Sequence, residues 1–341
     1  PLRCLPAEQN QGFDMGVDNP SQRPAGFDPM RKVMGGEALS QWRKKQPGPI
    51  ALVIGTFDLI QPGNLAVLNR AREQSLPVCV LVVSGGDGPR VPQHSLEERV
   101  EMVAHLRQTD AVSALAGEGE SDETLADRLK PFQWFTGKSR DRISPRIRAL
   151  TRQADRTEEL QPLPGCSTGE IQQAIKDNHT PIRLPAGWKS FRPTAPSFTR
   201  TAGRARVTIN GCFDILHLGH IRFLNQASAL GDELWVLIND DESVRRYKGP
   251  ARPVFPLAFR REALLSLTSV AEVCSFNEDQ PLRLLEQVKP DLHVKGGSFE
   301  SDRVQQEREL MERLGGRLAF CPLAEGYSTS AYIRKVLGTR T

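Results

Sequence analysis

Two histidines, three positions apart, have the spacing in this sequence that most clearly suggests chemistry. His217 and His220 lie in the stretch NGCFDILHLGH, where a strand-like run ends in Phe-Asp and a helical pattern begins. Parallel α/β sheets bind ligands beyond the carboxyl ends of their strands, and the following helix offers N–H groups and a partial positive charge to a phosphate. Imidazoles at such a junction predict a site that stabilises charge on a phosphoryl group during transfer.

A metal pair is the competing interpretation of these histidines. Zinc sites need further ligands at characteristic spacings, and the six cysteines include neither a C-x-x-C pair nor a cluster with histidine. We therefore predict no metal held by protein ligands. Scattered cysteines are typical of reduced thiols, so we expect a cytoplasmic protein.

Bulk composition favours two soluble domains. The 341 residues exceed the length at which one core usually stops growing, 38% are hydrophobic, and no apolar run has the length of a membrane helix. The net charge of +4 is small and dispersed, which argues against a nucleic-acid partner and against a membrane partner.

An internal repeat organises the chain. Apolar strand-like runs alternate with helical patterns from Pro49 and again from Arg206, which predicts an α/β fold with parallel sheets. The two series align with Gly55 on Gly211, Phe57 on Phe213, Asp58 on Asp214, Gly63 on Gly219 and Arg99 on Arg260. We predict a poorly ordered arm (1–47), a first unit (48–185), a linker (186–204) and a second unit (205–341).

The second unit carries a family resemblance. The successive stretches NGCFDILHLGH, KGPARPVFPLAFRRE, DLHVKGGSF and EGYSTSAYIRKV resemble the motifs of the HxGH nucleotidyltransferase superfamily. They are most similar to those of the adenylyltransferase domain that makes ADP-glycero-manno-heptose. The resemblance implies two tandem Rossmann-like domains, each with a parallel sheet flanked by helices.

The resemblance also implies roles for individual residues. His217 and His220 would steady the α-phosphate while a sugar 1-phosphate attacks and pyrophosphate leaves, and Lys248 and Lys295 would add positive charge. The nucleotide-binding residues would be Gly211, Phe213, Asp214, Gly219, Arg260, Ser328 and Thr329. ATP is the expected nucleotide, accompanied by Mg²⁺, and a phosphorylated small molecule is the expected acceptor.

Several of these residues have simpler interpretations. Ser328 and Thr329 are also what an ordinary helix N-cap requires, and Asp214 is suited to capping the turn after its strand. Lys248 alone would be a solvated surface lysine, and Arg260 a charge on a helix face.

The first unit keeps the frame of the motif without its charges. Gln61 and Asn64 stand where the histidines of the second unit stand, and Thr136 corresponds to Lys295. Gln and Asn donate hydrogen bonds but carry no charge at any pH. We therefore predict a catalytically inactive first unit that serves as a packing partner, a dimerisation surface or a regulatory pocket.

Two other functions remain open. A tandem arrangement with one degraded copy also resembles the cytidylyltransferase that acts on phosphoethanolamine, although the Arg that often precedes the Glu-Gly-x-Ser-Thr motif there is Ala324 here. A non-catalytic nucleotide-binding scaffold is the other. For assembly, we expect either a homodimer or an internal pseudo-dimer of the two units.

Overall fold

The computed structural model describes most of the chain from Asp28 onward. The described residues are 28–85, 92–115, 122–137, 144–186, 188, 190, 198–200, 202–297 and 302–338. The first 27 residues of the predicted arm and much of the predicted linker lie outside these ranges. None of the helices in the described ranges combines the length and the hydropathy that a membrane-spanning segment needs.

The described end of the predicted arm differs from the prediction, because it packs against the first unit. After a short 3₁₀ turn, helix α1 runs over Gly36–Lys44. Leu39 on this helix is buried, and the Arg43 guanidinium donates hydrogen bonds to the carbonyl oxygens of Leu129, Gln46 and Pro131. The burial of Leu39 and the hydrogen bonds of Arg43 hold this helix against the first unit, although the composition of the segment predicted little order.

The first unit forms a parallel five-stranded sheet in the order β3-β2-β1-β4-β5. Its elements are β1 (Ile50–Gly55), α2 (Pro62–Glu73), β2 (Val78–Val83), α3 (Leu96–Ala104), β3 (Ala111–Leu115), α4 (Asp122–Leu129), β4 (Phe132–Thr136), α5 (Pro145–Thr151), β5 (Arg156–Glu159) and α6 (Thr168–Lys176).

The second unit repeats this strand order, with β6 at the centre of the sheet β8-β7-β6-β9-β10. Its elements are β6 (Arg206–Gly211), α7 (Leu218–Ser228), β7 (Glu233–Asn239), α8 (Asp241–Lys248), α9 (Leu257–Leu265), β8 (Glu272–Phe276), α10 (Leu282–Val288), β9 (Leu292–Gly296), α11 (Asp302–Arg313), β10 (Arg317–Cys321) and α12 (Thr329–Leu337).

The α/β class and the two parallel sheets predicted from the sequence are confirmed. The central strands are buried on both faces and read as nearly continuous apolar runs, as expected when helices cover a parallel sheet. The strand order reverses beside β1 and beside β6, and ligands of open α/β sheets bind at such a point. In the second unit this point is the loop between β6 and α7, where the histidines stand.

The two units pack against each other. One buried hydrophobic cluster contains side chains of both, and Leu106 forms an antiparallel bridge with Leu267. Beside this bridge, the Arg107 guanidinium donates to the carbonyl oxygens of Leu265, Leu267 and Val270 at 2.6, 2.7 and 2.6 Å. Helix α3 contacts α7, and α6 contacts α12. The helix that begins at the predicted site is therefore part of the contact between units.

Candidate active site

The backbone between β6 and α7 is shaped by Gly211 and Phe213. Phe213 adopts a left-handed conformation with φ of 44°, and its ring folds back over the end of the strand. A Cβ on Gly211 would lie 3.0 Å from that ring, so the residue must be small. The first unit repeats this turn at Gly55 and Phe57, whose φ is 52°. Both units therefore present the following helix to the same edge of the sheet.

The two histidines lie against each other at the start of α7. His217 is the N-cap residue, and its Nδ1 accepts the backbone N–H of His220 at 3.3 Å. The two rings stack with centroids 3.7 Å apart, and Phe213 meets the His220 ring edge-on at 5.2 Å. Because Nδ1 of His217 accepts, its Nε2 carries the proton and is the donor that remains for a ligand.

Both imidazoles are neutral near pH 7, because burial lowers the pKa of each. The pKa of His217 is lowered to about 4, chiefly by burial and then by the charge of His94. The pKa of His220 lies well below its usual value, because its ring is removed from water and lies beside His217. His220 Nδ1 is fully buried and has no hydrogen-bond partner among the described residues. The histidines are therefore neutral hydrogen-bond donors rather than the positive charges expected from the sequence.

The loop before α12 packs against the histidine loop. Ser328 caps α12 by accepting the Ala331 N–H at 3.0 Å, and Thr329 Oγ1 donates to the Ile215 carbonyl at 3.4 Å. A Cβ on Gly219 would lie 2.6 Å from Cβ of Tyr327. The space beside the Gly219 Cα is thus filled by atoms of Tyr327, and the predicted contact of Gly219 with a nucleotide stays a prediction. Gly219 is needed so that the two motif loops can meet.

Lys295 lies at the end of β9, beside the end of β6. Its ammonium donates to Asn210 Oδ1 at 2.9 Å and lies 2.8 Å from Oε2 of Glu307. Glu307 is 2% exposed, so this is a buried ion pair. The positive charge predicted for this position is therefore compensated by a carboxylate that the motifs did not reveal.

Lys248 lies at the end of α8 and is exposed. Its charge lowers the pKa of Cys212, although burial has the larger and opposite effect on that thiol. Lys248 is thus close to the loop that begins the histidine motif. Unlike Lys295, it forms no ion pair with another residue of the described part of the chain, and it faces solvent at this edge of the sheet.

Asp214 and Arg260 are occupied by structural contacts. The Asp214 carboxylate accepts the N–H groups of Val254 and Phe255 and pairs with Arg252 at 2.6 Å. The Arg260 guanidinium is buried and donates to the carbonyl oxygens of Phe255, Cys212 and Asn239 and to the Asp241 carboxylate. These two residues hold the loops of the site together, and their predicted contacts with a nucleotide stay predictions.

Side chains that could bind a metal do not cluster in the described part of the chain. Within the described ranges, no group of three or more His, Cys, Asp and Glu side chains is arranged to hold a metal ion. Asp214, the carboxylate nearest to the histidines in sequence, is bonded to Arg252 and to backbone N–H groups. The described residues therefore do not form a magnesium site made of protein ligands.

The first unit has the same scaffold with different chemistry. Asp58 accepts the N–H groups of Gln93 and His94, and the Arg99 guanidinium donates to the carbonyl oxygens of Thr56, Val83 and Ser84. Gln61, at the position of His217, accepts the Gly63 N–H at 2.5 Å and caps α2. The structural residues are thus repeated between units, and the imidazoles are not.

Comparison with known proteins agrees with this geometry. The cytidylyltransferase-like family model matches residues 52–138 and 208–335, which together are more than half of the chain. The bifunctional protein HldE of Coxiella burnetii (strain Dugway 5J108-111) is 43% identical over 138 residues, 40% of this chain and 29% of that protein. HldE of Ectopseudomonas mendocina (strain ymp) is 47% identical over 137 residues, again 40% and 29%.

A solved structure, the lipopolysaccharide core biosynthesis protein from Thermoplasma volcanium GSS1, is 30% identical with a TM-score of 0.32. The match covers 37% of this chain and all of that one. The present chain spans less than a third of the length of the HldE relatives that it matches. The family model, in contrast, matches parts of both units. On this match, the chain belongs to the cytidylyltransferase-like family of nucleotidyltransferases.

Proposed function

We propose that the second unit transfers AMP from ATP to a sugar 1-phosphate, with glycero-manno-heptose 1-phosphate as the acceptor. The observation that carries this proposal is the stacked pair of neutral imidazoles, His217 and His220, at the N-terminus of α7. The motifs of the second unit and the HldE relatives support a heptose as the sugar.

In the proposed reaction, an oxygen of the acceptor phosphate attacks the α-phosphorus of ATP. A new O–P bond forms, the bond between the α-phosphorus and the bridging oxygen breaks, and pyrophosphate leaves with that electron pair. Transfers of this kind depend mainly on positioning and electrostatics. His217 would donate from Nε2 to the phosphate oxygens, beside the positive end of the α7 dipole. The bound triphosphate would raise the pKa of both imidazoles and strengthen these hydrogen bonds.

The other residues of the second unit would surround the triphosphate. Lys248 is exposed at the same sheet edge and would supply charge from solvent, while Lys295 would exchange part of its contact with Glu307 for a phosphate oxygen. Ser328 and Thr329 would present the N-terminus of α12 from the opposite side.

The nucleotide and the acceptor are tested together. Pyrophosphate release would be measured for the full chain with ATP or CTP, and with heptose 1-phosphate or phosphoethanolamine. We expect release with ATP and the sugar phosphate. Preference for CTP and phosphoethanolamine would replace this proposal by the cytidylyltransferase alternative. ATP binding without release in any combination would favour a scaffold.

The catalytic role of the histidines is tested by replacing each with the residue at the corresponding position of the first unit. His217→Gln and His220→Asn introduce the residues that stand at Gln61 and Asn64, and each should lower kcat by roughly 10²- to 10³-fold because a donor to the transferred phosphate is weakened. His179→Gln, at an exposed position in the first unit, is the control and should keep full activity. Full activity in the two motif variants would remove the histidines from the mechanism.

We propose that the first unit is inactive and packs with the second as an internal pseudo-dimer. The shared hydrophobic cluster and the Leu106–Leu267 bridge support this arrangement. If the full chain carrying both His217→Gln and His220→Asn released pyrophosphate at the wild-type rate, the first unit would have to be active. We expect a loss at least as large as in either single variant.

A further inference from the structure

A side chain of the first unit reaches the histidines of the second unit through a single tyrosine. Glu98 belongs to α3, where its carboxylate completes the capping box of Ser95. Its other oxygen accepts the hydroxyl of Tyr327 at 2.6 Å, a short hydrogen bond to a charged group. Tyr327 lies 229 residues further along the chain. The contact therefore joins the loop before α12 to the first unit.

Tyr327 in turn contacts the histidine motif. Its ring lies nearly parallel to that of His217, with centroids 6.2 Å apart and an interplanar angle of 17°. Its Cβ fills the space where a side chain on Gly219 would stand. His217 stacks on His220 at 3.7 Å. A displacement of Tyr327 would therefore be transmitted to both imidazoles.

The surroundings of Tyr327 come from both units. Arg222 on α7 forms two 2.8 Å hydrogen bonds to Glu101 of α3, and its guanidinium lies 5.9 Å from the Tyr327 ring. His94, which precedes α3, stacks on Tyr332 of α12 at 5.9 Å. Helix α3 is thus bonded to both elements that meet at the histidines.

We propose that Glu98 of the first unit is a positioning residue for the active site of the second unit, acting through Tyr327 on His217 and His220. This inference rests on the proposed function, and it assigns the first unit a part in catalysis although it lacks the histidines. The carboxylate fixes the tyrosine hydroxyl, and the tyrosine ring fixes the plane of the His217 imidazole.

The test is a double-mutant cycle in the full chain. Tyr327→Phe removes the hydroxyl and keeps the ring, while Glu98→Ala removes the acceptor. Each should lower kcat by about tenfold with an unchanged KM, since misplacement of catalytic groups acts mainly on the chemical step. The double variant should be no slower than either single variant, because both changes break the same contact.

The matched control is Glu170→Ala. Glu170 completes a second capping box of the first unit, at the start of α6, where its carboxylate accepts the N–H and the hydroxyl of Ser167. It should cost a similar amount of stability and leave kcat unchanged. If Glu98→Ala and Tyr327→Phe also left kcat unchanged in an active protein, the inference would be overturned and the proposed function would stand.

A second measurement separates a failure of this inference from a failure of the proposed function. The histidine ring resonances of the labelled full chain would be recorded for each variant by NMR. Tyr327→Phe and Glu98→Ala should shift the signals of His217 and His220, and Glu170→Ala should not. If the wild-type protein released no pyrophosphate with any substrate pair, the proposed function would fail, and these shifts alone would decide the inference. Unchanged signals would refute it.

Discussion

At the scale of single residues, the two units share their structural contacts and differ in their chemistry. Asp58 and Asp214 each accept two successive backbone N–H groups, and Arg99 and Arg260 each donate to a set of carbonyl oxygens. These acids and arginines recur in both motifs because the loops need them. The imidazoles of the motif occur only in the second unit, and capping does not require them, because Gln61 caps α2 as His217 caps α7.

The sequence predicted that the two histidines meet at a helix N-terminus, but it did not predict that burial lowers their pKa. His217 and His220 do lie together at a helix N-terminus, because their spacing and the preceding strand determine this locally. Their neutrality depends on burial by distant segments, and the partner of Lys295 is a glutamate twelve residues away on α11. Neither the neutrality of the histidines nor the pairing of Lys295 with Glu307 follows from a motif, because both depend on how separate elements pack.

A buried histidine outside the motif makes stability depend on pH. His293 on β9 is fully buried, and burial is the main reason that its pKa is lowered to about 3. Between pH 6.5 and pH 3, His293 is therefore protonated in the unfolded chain, where its pKa is near 6.5, and neutral in the folded chain. Stability from this group is present above pH 6.5 and is lost as the pH falls.

His293→Gln should reduce this dependence. Between pH 7 and pH 5, the wild-type free energy of unfolding should fall by about 2 kcal/mol more than that of His293→Gln. Urea denaturation at the two pH values measures the difference, and His179→Gln at an exposed position is the control. Parallel losses in wild type and His293→Gln would show that His293 is not the group that titrates.

At the scale of elements, the sequence predicted the centre of each sheet and missed its edges. Apolar runs predict β1, β2, β6, β7 and β9, which are buried between helix layers. The edge strands carry weaker patterns, and β5 consists of Arg-Thr-Glu-Glu. Such a strand forms because β4 offers free backbone groups to it, which is a property of the neighbouring strand rather than of its own residues.

At Gly219, helix α7 and the loop before α12 approach each other closely. Gly219→Ala would place a methyl carbon 2.6 Å from Tyr327 Cβ, so α7 and the loop before α12 must move apart. A shift of about 1 Å in a catalytic group can cost roughly 10²-fold in rate, and we expect a loss of that order in pyrophosphate release.

Gly63→Ala, at the equivalent position of the first unit, is the control for this substitution. There the added Cβ would lie 3.0 Å from the amide end of the Gln61 side chain, which is the far end of a flexible side chain rather than the Cβ of a packed loop. Activity should stay near the wild-type value. Equal losses in the two variants would mean that the strain lies in the helix start itself rather than in the approach of Tyr327.

At the scale of the whole molecule, the contact between units could not be predicted from motifs. It depends on side chains such as Arg107, whose partners are backbone carbonyl oxygens of the second unit that no sequence pattern distinguishes. The backbone contributes as well, since Arg107 N–H donates to Ser266 and Thr268 N–H donates to His105. The predicted duplication of units implied some form of packing but not its geometry.

Arg107→Met tests whether these contacts make the units unfold together. The substitution keeps an apolar stem and removes three hydrogen bonds to carbonyl oxygens, which should cost about 3 kcal/mol or more of coupling between the units. Calorimetry of the wild-type chain should show one transition, because one hydrophobic cluster extends across both units. In Arg107→Met we expect that transition to separate into two.

Arg43→Met is the matched control, because Arg43 also donates to three carbonyl oxygens, which belong to the arm and the first unit and not to the second unit. It should lower the midpoint of a single transition without dividing it. If the two variants gave the same calorimetric trace, the Arg107 contacts would add stability without coupling the units. A divided transition for Arg107→Met alone would show that the first unit is held to the active unit by these bonds, which is the condition for Glu98 to keep its contact with Tyr327.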